Sequence, residues 1–246
     1  MNKEKLLKRI SRIYKEGGII LLYLRGKRLL ILGFTNLMRN IYFFITPAGS
    51  FNFSGKSLVY FRANYNFAFE NERTVEIPIA MSFIKSLKPS DNLLEVGNVI
   101  ANYGVRPISR DILDKYDKNT YVINEDVIFF KPAKKYKAII SISTLEHVGW
   151  DEAIREPRKI ITAIKNLVEN CLAPGGCMLV TMPFGYNDYL DQELAGGIKY
   201  FTETYYLKRI SLDNKWQQVN YGEVANSKYG EPFNNANAIC IGIVHK

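Results

Sequence analysis

The chain has 246 residues, 47% of them apolar, and 33 Lys and Arg against 24 Asp and Glu give a net charge of +9. That length and apolar content excludes a disordered segment and fits one α/β-sized domain with an appendage. Residues 1–60 hold eleven Lys and Arg against Glu4 and Glu16, which is the whole surplus. A neutral body with a basic head argues against a protein whose main face grips phosphate backbones.

Residues 3–15 set Leu6, Leu7, Ile10, Ile13 and Tyr14 at helical spacing with basic residues opposite, and Gly17-Gly18 ends that predicted helix. The apolar run over 19–34 is broken by Arg25, Lys27 and Arg28, so no stretch reaches the roughly 18 uncharged residues of a spanning helix, and no signal-peptide cleavage pattern follows. Residues 1–50 are therefore expected to form a basic helical extension and 51–246 the main domain. Two readings of the extension compete. In one, residues 1–45 pack on the main fold or on a homodimer partner; in the other they lie on an anionic membrane surface or cap a pocket. Cys171, Cys177 and Cys240 are odd in number and lack CxxC spacing, so neither a disulfide framework nor a metal site is expected. A cytoplasmic protein, with peripheral membrane attachment as the alternative, follows.

Ser54-Gly55-Lys56 marks a turn before a short strand, and Pro78 is placed in the first turn of a helix carrying Ile79, Phe83, Ile84 and Leu87. From Asn92 the texture alternates. Strands are expected within 92–99, 109–117, 121–130 and 136–143, then a helix over 157–171 stopped by Pro174-Gly175-Gly176, then strands within 176–184, 215–220 and 238–245. Such alternation predicts a mostly parallel sheet wrapped by helices.

Ligands of open parallel sheets lie beyond the carboxyl ends of the strands, so the residues following each strand are the candidates. Glu95, Gly97 and Asn98 follow the first; Gly97 permits a tight turn and close approach of a ligand, or is simply a structural turn. Asp114 follows the second and is placed to accept from ribose hydroxyls, the alternative being a solvated charge. Asp126 and Val127 follow the third. The fourth, in YKAIISISTLEHVGW, delivers Ser143, Thr144, Glu146 and His147. Histidine's ordinary pKa suits it to take a proton, and Glu146 is placed to orient it or act as base; the alternative is a polar turn. After the fifth, Tyr186, Asn187 and Asp191 are candidate substrate contacts.

The strings LLEVGN, DKYD, INEDV, KAIISISTLEHVG and APGGCMLVTMPFGYN, in that order, resemble the class I S-adenosylmethionine-dependent methyltransferases. The nearest likeness is to a microbial branch with ERxVEIP upstream, here Glu72-Arg73-Thr74-Val75-Glu76-Ile77-Pro78, and SISTLEHVGWDE at the fourth strand. The resemblance covers about residues 70–190. It implies a Rossmann-like seven-stranded mostly parallel sheet with one antiparallel edge strand and helices on both faces. It also implies S-adenosyl-L-methionine as cofactor, with Glu95, Gly97 and Asn98 at its methionine part, Asp114 at its ribose, and Asp126 and Val127 at its adenine. Ser143, Thr144, Glu146 and His147 would then face the sulfonium. The implied reaction is methyl transfer to O or N of a small-molecule or sugar-like acceptor, with no metal. Only Gly97 remains of the family's glycine-rich first motif, which motivates a rival reading as a catalytically inactive binding or scaffold protein. A NAD-type Rossmann oxidoreductase is a third, and GxGxxG is missing for it.

Overall fold

The computed structural model describes residues 11, 19, 23, 26, 27, 30, 33–35, 37–104 and 109–246. The chain divides into two compact units, Met1–Ala48 and Gly49–Lys246. In the first, every described residue through Ile45 is helical, and the Thr46 amide and hydroxyl both donate to the Tyr42 carbonyl, at 3.0 and 2.6 Å, to close the last turn. Leu37, Ile41, Phe44 and Ile45 are exposed along it. The helix expected over 3–15 and its stop at Gly17-Gly18 lie outside the described residues, apart from Ser11. Among the described residues no helix is long and apolar enough to cross a membrane.

The second unit opens with a hairpin of β1 (Ser50–Phe53) and β2 (Lys56–Val59), turned at Ser54 and Gly55, both at positive φ. Helix α1 (Arg73–Ser86) follows. Pro78 lies in its interior rather than in its first turn, where the sequence places it. Proline lacks the N–H that would bond the Thr74 carbonyl, and the Phe61 amide donates to that oxygen instead at 2.9 Å. The Thr74 hydroxyl donates back to the Phe61 carbonyl at 3.0 Å, so an interior proline leaves no orphan.

The sheet strands are β3 (Leu93–Val96), β4 (Arg110–Leu113), β5 (Val122–Ile123), β6 (Tyr136–Ile142), β7 (Leu172–Pro183), β8 (Glu203–Arg209), β9 (Trp216–Val219) and β10 (Ala238–His245). They form one eight-stranded sheet in the order β5-β4-β3-β6-β7-β10-β8-β9. β3 to β7 run parallel, β10 is antiparallel to both β7 and β8, and β9 is an antiparallel edge. This is the mostly parallel Rossmann-like architecture, with one strand more than the seven the motifs imply. α1 covers one face, where Ile77, Ile79, Ala80 and Ile84 join Leu93, Ile140, Ile142, Leu179, Ile239 and Ile241 in one core. α2 (Lys159–Asn166) and α3 (Asp188–Gly196) cover the other, where Ile160, Ile164, Leu190 and Leu194 join Leu94, Val96, Ile139, Met178 and Val180. Period-two alternation along the strands sends successive side chains to these two cores.

α2 does not run on to the Pro174-Gly175-Gly176 stop that the sequence suggests. It ends through a π-type turn at Leu167–Cys171, and the three residues lie inside β7. The carbonyls of Val168, Glu169 and Leu172 accept from the Lys246 ammonium at 2.7, 3.2 and 2.8 Å, while the main chain of Lys246 pairs with Gly175 and Gly176. The Lys246 side chain thus supplies the cap.

Candidate active site at the strand ends

From β3 the chain steps outward to β4 and β5, then crosses back to β6 on the other side of β3. Strand order reverses there, which is where an open α/β sheet has its crevice. A cavity of about 290 Å³ lies at that point; Gly97, Asp114, Asp126, Val127, Thr144, His147 and Asp151 are among its lining. Its apolar wall comes from Val96, Leu113, Val127 and Val148.

Gly97 has φ +84°, and a Cβ there would stand 2.3 Å from Thr144 Oγ1. The ends of β3 and β6 therefore touch through the missing side chain, and only glycine fits. Glu95 is buried and turned inward. Its Oε1 accepts from the Val99 and Ile100 amides at 2.9 and 2.7 Å, and its Oε2 pairs with Arg110. It shapes the loop after β3 and is not part of the cavity lining. Asn98 is outside the lining too; its Nδ2 donates to Asp117 at 2.7 Å.

Asp114 enters the cavity with its carboxylate oriented by the turn it begins. Oδ1 accepts from the Tyr116 and Asp117 amides at 2.8 and 3.0 Å, whereas Oδ2 has one long bond, 3.4 Å, from the Asn98 amide. Oδ2 is thus the oxygen with capacity for a ligand hydroxyl. Asp126 accepts from the Ile128 amide at 3.1 Å and from Lys115 at 2.8 Å, and Lys115 also donates to Glu152 at 2.9 Å. Burial raises the Asp126 carboxyl, but Lys115 and the Ile128 amide outweigh it and hold it below the usual carboxylate range. Lys115 ties the end of β4 to the loops after β5 and β6.

Beyond β6 the chain makes a tight turn at Leu145–His147. Ser143, at φ +34°, precedes it and donates to Glu76 at 2.6 Å. His147 lines the cavity with Nδ1 2.5 Å from Asp151 Oδ2, and Tyr186 donates to the same oxygen at 2.6 Å. Burial raises the Asp151 carboxyl, and the bonds from Tyr186 and His147 more than reverse this, so it stays ionised. In a neutral imidazole, an ionised acceptor at Nδ1 selects the tautomer with its proton on Nδ1 and its lone pair on Nε2. Nε2 lies 3.6 Å from Glu146 Oε1. Asp151 was not among the sequence candidates, although its spacing four residues after His147 is a usable signal.

Asn187 is fully buried. Its Nδ2 donates to the Glu146 carbonyl at 2.9 Å and its Oδ1 caps α3 by accepting from the Leu190 amide at 3.1 Å. Asp191 accepts from the Gly185 amide at 2.9 Å, and burial pushes its carboxyl up to about 6. Of the three residues after β7, Tyr186 is the one brought to His147, with ring centroids 4.8 Å apart.

No protein-family model and no curated protein matched the sequence. Solved structures of similar topology include the N-methyltransferase NodS from Bradyrhizobium japonicum WM9 in complex with S-adenosyl-L-homocysteine, at 13% identity over 68% of this chain and 86% of that one, TM-score 0.43. A SAM-dependent methyltransferase from Archaeoglobus fulgidus is 14% identical over 74% of this chain and 99% of that one, TM-score 0.44. The amino pentose methyltransferase CalS10 from Micromonospora echinaspora is 16% identical over 44% and 49%, TM-score 0.33.

Proposed function

We propose that the chain is an S-adenosyl-L-methionine-dependent methyltransferase acting on O or N of a small acceptor. The observation that carries this reading is the cavity at the β3/β6 switch point, where Asp114 Oδ2 and the His147–Asp151 pair line the same space. The residues fit the cofactor's nucleoside half. Asp114 Oδ2 would accept from the ribose hydroxyls, and Val96, Leu113, Val127 and Val148 would sandwich the adenine. The bound cofactor supplies a methyl group already activated on a sulfonium, so the protein's own work is alignment, exclusion of water and handling of one proton. His147 Nε2, its lone pair fixed by Asp151, takes that proton from the acceptor. Tyr186 steadies Asp151, and Asn187 holds the main chain of Glu146.

Two observations weigh against the rivals. Val99 and Tyr103, whose side chains would block the site in a scaffold, are not among the cavity-lining residues. A dinucleotide site needs free amides at a helix N-terminus for its pyrophosphate. Here the Val99 and Ile100 amides are taken by Glu95, and they lead into a four-residue turn, Ile100–Tyr103.

Calorimetry with S-adenosylmethionine and S-adenosylhomocysteine tests the reading. Wild type should bind both, and Asp114→Ala should weaken binding by about 10–100-fold, the worth of hydrogen bonds to a charged group. Wild type that binds neither ligand sinks the proposal.

A further inference from the structure

Two consecutive carboxylates, Asp151 and Glu152, line the cavity and hold different partners. Asp151 Oδ2 meets His147 Nδ1 at 2.5 Å and the Tyr186 hydroxyl at 2.6 Å. Glu152 faces the other way: its Oε1 accepts from Lys115 at 2.9 Å and its Oε2 from Lys159, the first residue of α2, at 2.8 Å. Both belong to a loop closed at its base, where the Glu156 amide donates to the Gly149 carbonyl at 2.7 Å. Gly149 has φ +72°, and a Cβ there would run into the Glu156 carbonyl, so glycine is what lets the loop close. Inside it, Arg155 Nε donates to the Trp150 carbonyl at 3.1 Å and the guanidinium lies over the Trp150 ring at 4.2 Å. Residues 149–156 are thus tied together, and what fixes Glu152 also fixes Asp151.

Lys115 is what reaches that loop from the cofactor side. It directly follows Asp114 at the end of β4, and β4 and β6 flank β3 on opposite sides. Its ammonium donates to Asp126, after β5, at 2.8 Å and to Glu152, after β6, so one side chain joins the ends of three strands around the cavity. An isolated ion pair in open solvent contributes little to stability. Here the Asp126 and Glu152 side chains are only 16% and 14% exposed, and one ammonium serves both. Bonds from Lys159 and Lys115 hold the Glu152 carboxyl below the usual range, so the link stays charged.

We infer that Lys115 is a positioning residue for His147: by holding Glu152 it sets the 149–156 loop where Asp151 meets His147 Nδ1. The inference rests on the methyltransferase reading, in which Asp114 takes the ribose hydroxyls and His147 Nε2 takes the acceptor's proton. Two pairs of neighbours, Asp114 with Lys115 and Asp151 with Glu152, then connect the cofactor end of the cavity to the base. Without the link the loop loses its tie to β4, Asp151 no longer meets Nδ1 in a fixed geometry, and the lone pair is no longer held on Nε2.

The test reads the His147 tautomer from its ring 15N shifts, at their high-pH plateau, in the full chain labelled with 15N histidine. The chain has two histidines, so His245→Gln assigns the signals and His245 serves as internal control. In wild type the Nδ1–H form should exceed the Nε2–H form by about tenfold or more, the worth of a hydrogen bond to a charged acceptor. Asp151→Asn should remove that excess and so sets the scale. Lys115→Met should lower the ratio by about three- to tenfold, Lys115→Arg should restore it to within about twofold of wild type, and the His245 shifts should not move. Glu152→Gln cuts the same link from the loop side and should act as Lys115→Met does, so it decides the matter if the methionine variant folds poorly. Variants that melt at lower temperature yet keep the wild-type ratio would show a merely structural ion pair and overturn the inference. Calorimetry with S-adenosylhomocysteine on the same samples separates the two readings. Binding by wild type with a tautomer that ignores Lys115 and Glu152 overturns the positioning role alone. A tautomer that follows Lys115 in a protein that binds no S-adenosylhomocysteine upholds the link and overturns the methyl transfer it would serve.

Discussion

At the scale of single residues, the loops around the site hold carboxyls of opposite pKa shift within a few side chains. Asp151 is kept charged by two donors, and Asp191 is pushed up to about 6 by burial. A carboxyl whose folded pKa exceeds its unfolded value of about 3.9 makes the folded state hold its proton longer. Its contribution is then greatest below pH 4, declines between about 4 and 6, and stays constant above. Asp191→Asn keeps an acceptor for the Gly185 amide and removes the ionisation. Its melting temperature should match wild type near pH 4 and exceed it by about 2–6 °C at pH 7. Thermal melts of both proteins from pH 4 to 7 check this, and a constant offset would contradict it; the slope from the buried Glu146 carboxyl, also raised, is common to both and cancels. The same contrast explains which site residues the sequence reveals. Asp114, Thr144 and His147 are polar residues just after apolar strands, and that position alone brings them to the cavity. Asn187 follows β7 just as closely, yet its side chain turns inward to bind main-chain groups, as that of Glu95 within β3 also does. Nothing in residue type or spacing separates those two outcomes.

At the scale of elements, β3 and β6 meet at the site through the Cα of Gly97 against Thr144. The strands are fixed neighbours, pairing Leu93 with Ala138 through Val96 with Ser141, so neither end can retreat. Gly97→Ala puts a Cβ 2.3 Å from Thr144 Oγ1 on a backbone at φ +84°, and should cost about 2–4 kcal/mol. Thr144→Ala removes the two nearest atoms and leaves a Cβ contact of 3.0 Å, so the double variant should recover about half of the loss. Denaturant unfolding of the four proteins measures this; additive costs would mean that the two side chains do not oppose each other. Strands with continuous apolar runs, β6 and β10, are legible in the sequence because both faces of each are covered. β8 is not, since its buried Arg209 reads as a surface charge. The structure satisfies that guanidinium with carbonyls of Glu70, Ser211, Leu212 and Asn234. β5 shrinks to Val122–Ile123 because the Asp126 turn begins soon after it.

Over the whole molecule, charge is divided as the two compact units are. The basic excess lies in residues 1–60 and the remainder is neutral. Described helical residues of Met1–Ala48 expose Ile19, Tyr23, Leu30, Phe34, Leu37 and Phe44. Exposed apolar side chains and Lys27 on described helical residues, in a segment whose sequence carries the chain's basic excess, suit an anionic lipid surface, where each basic residue near the headgroups contributes about 1 kcal/mol. A helix that packs on a second copy of the chain would instead bury those side chains with weak dependence on salt. We propose the lipid surface, and the two occupants separate experimentally. Full-length protein should cosediment with phosphatidylserine-containing vesicles at about 0.05 M salt and be released by roughly 0.5 M, as the Debye length shrinks from over 10 Å to a few Å. Residues 49–246 alone should stay in the supernatant at both, and neutral vesicles should pellet neither. Vesicle binding retained by 49–246 would place the basic contact elsewhere. A full-length dimer that survives 0.5 M salt and ignores vesicles would assign the apolar face to a second copy.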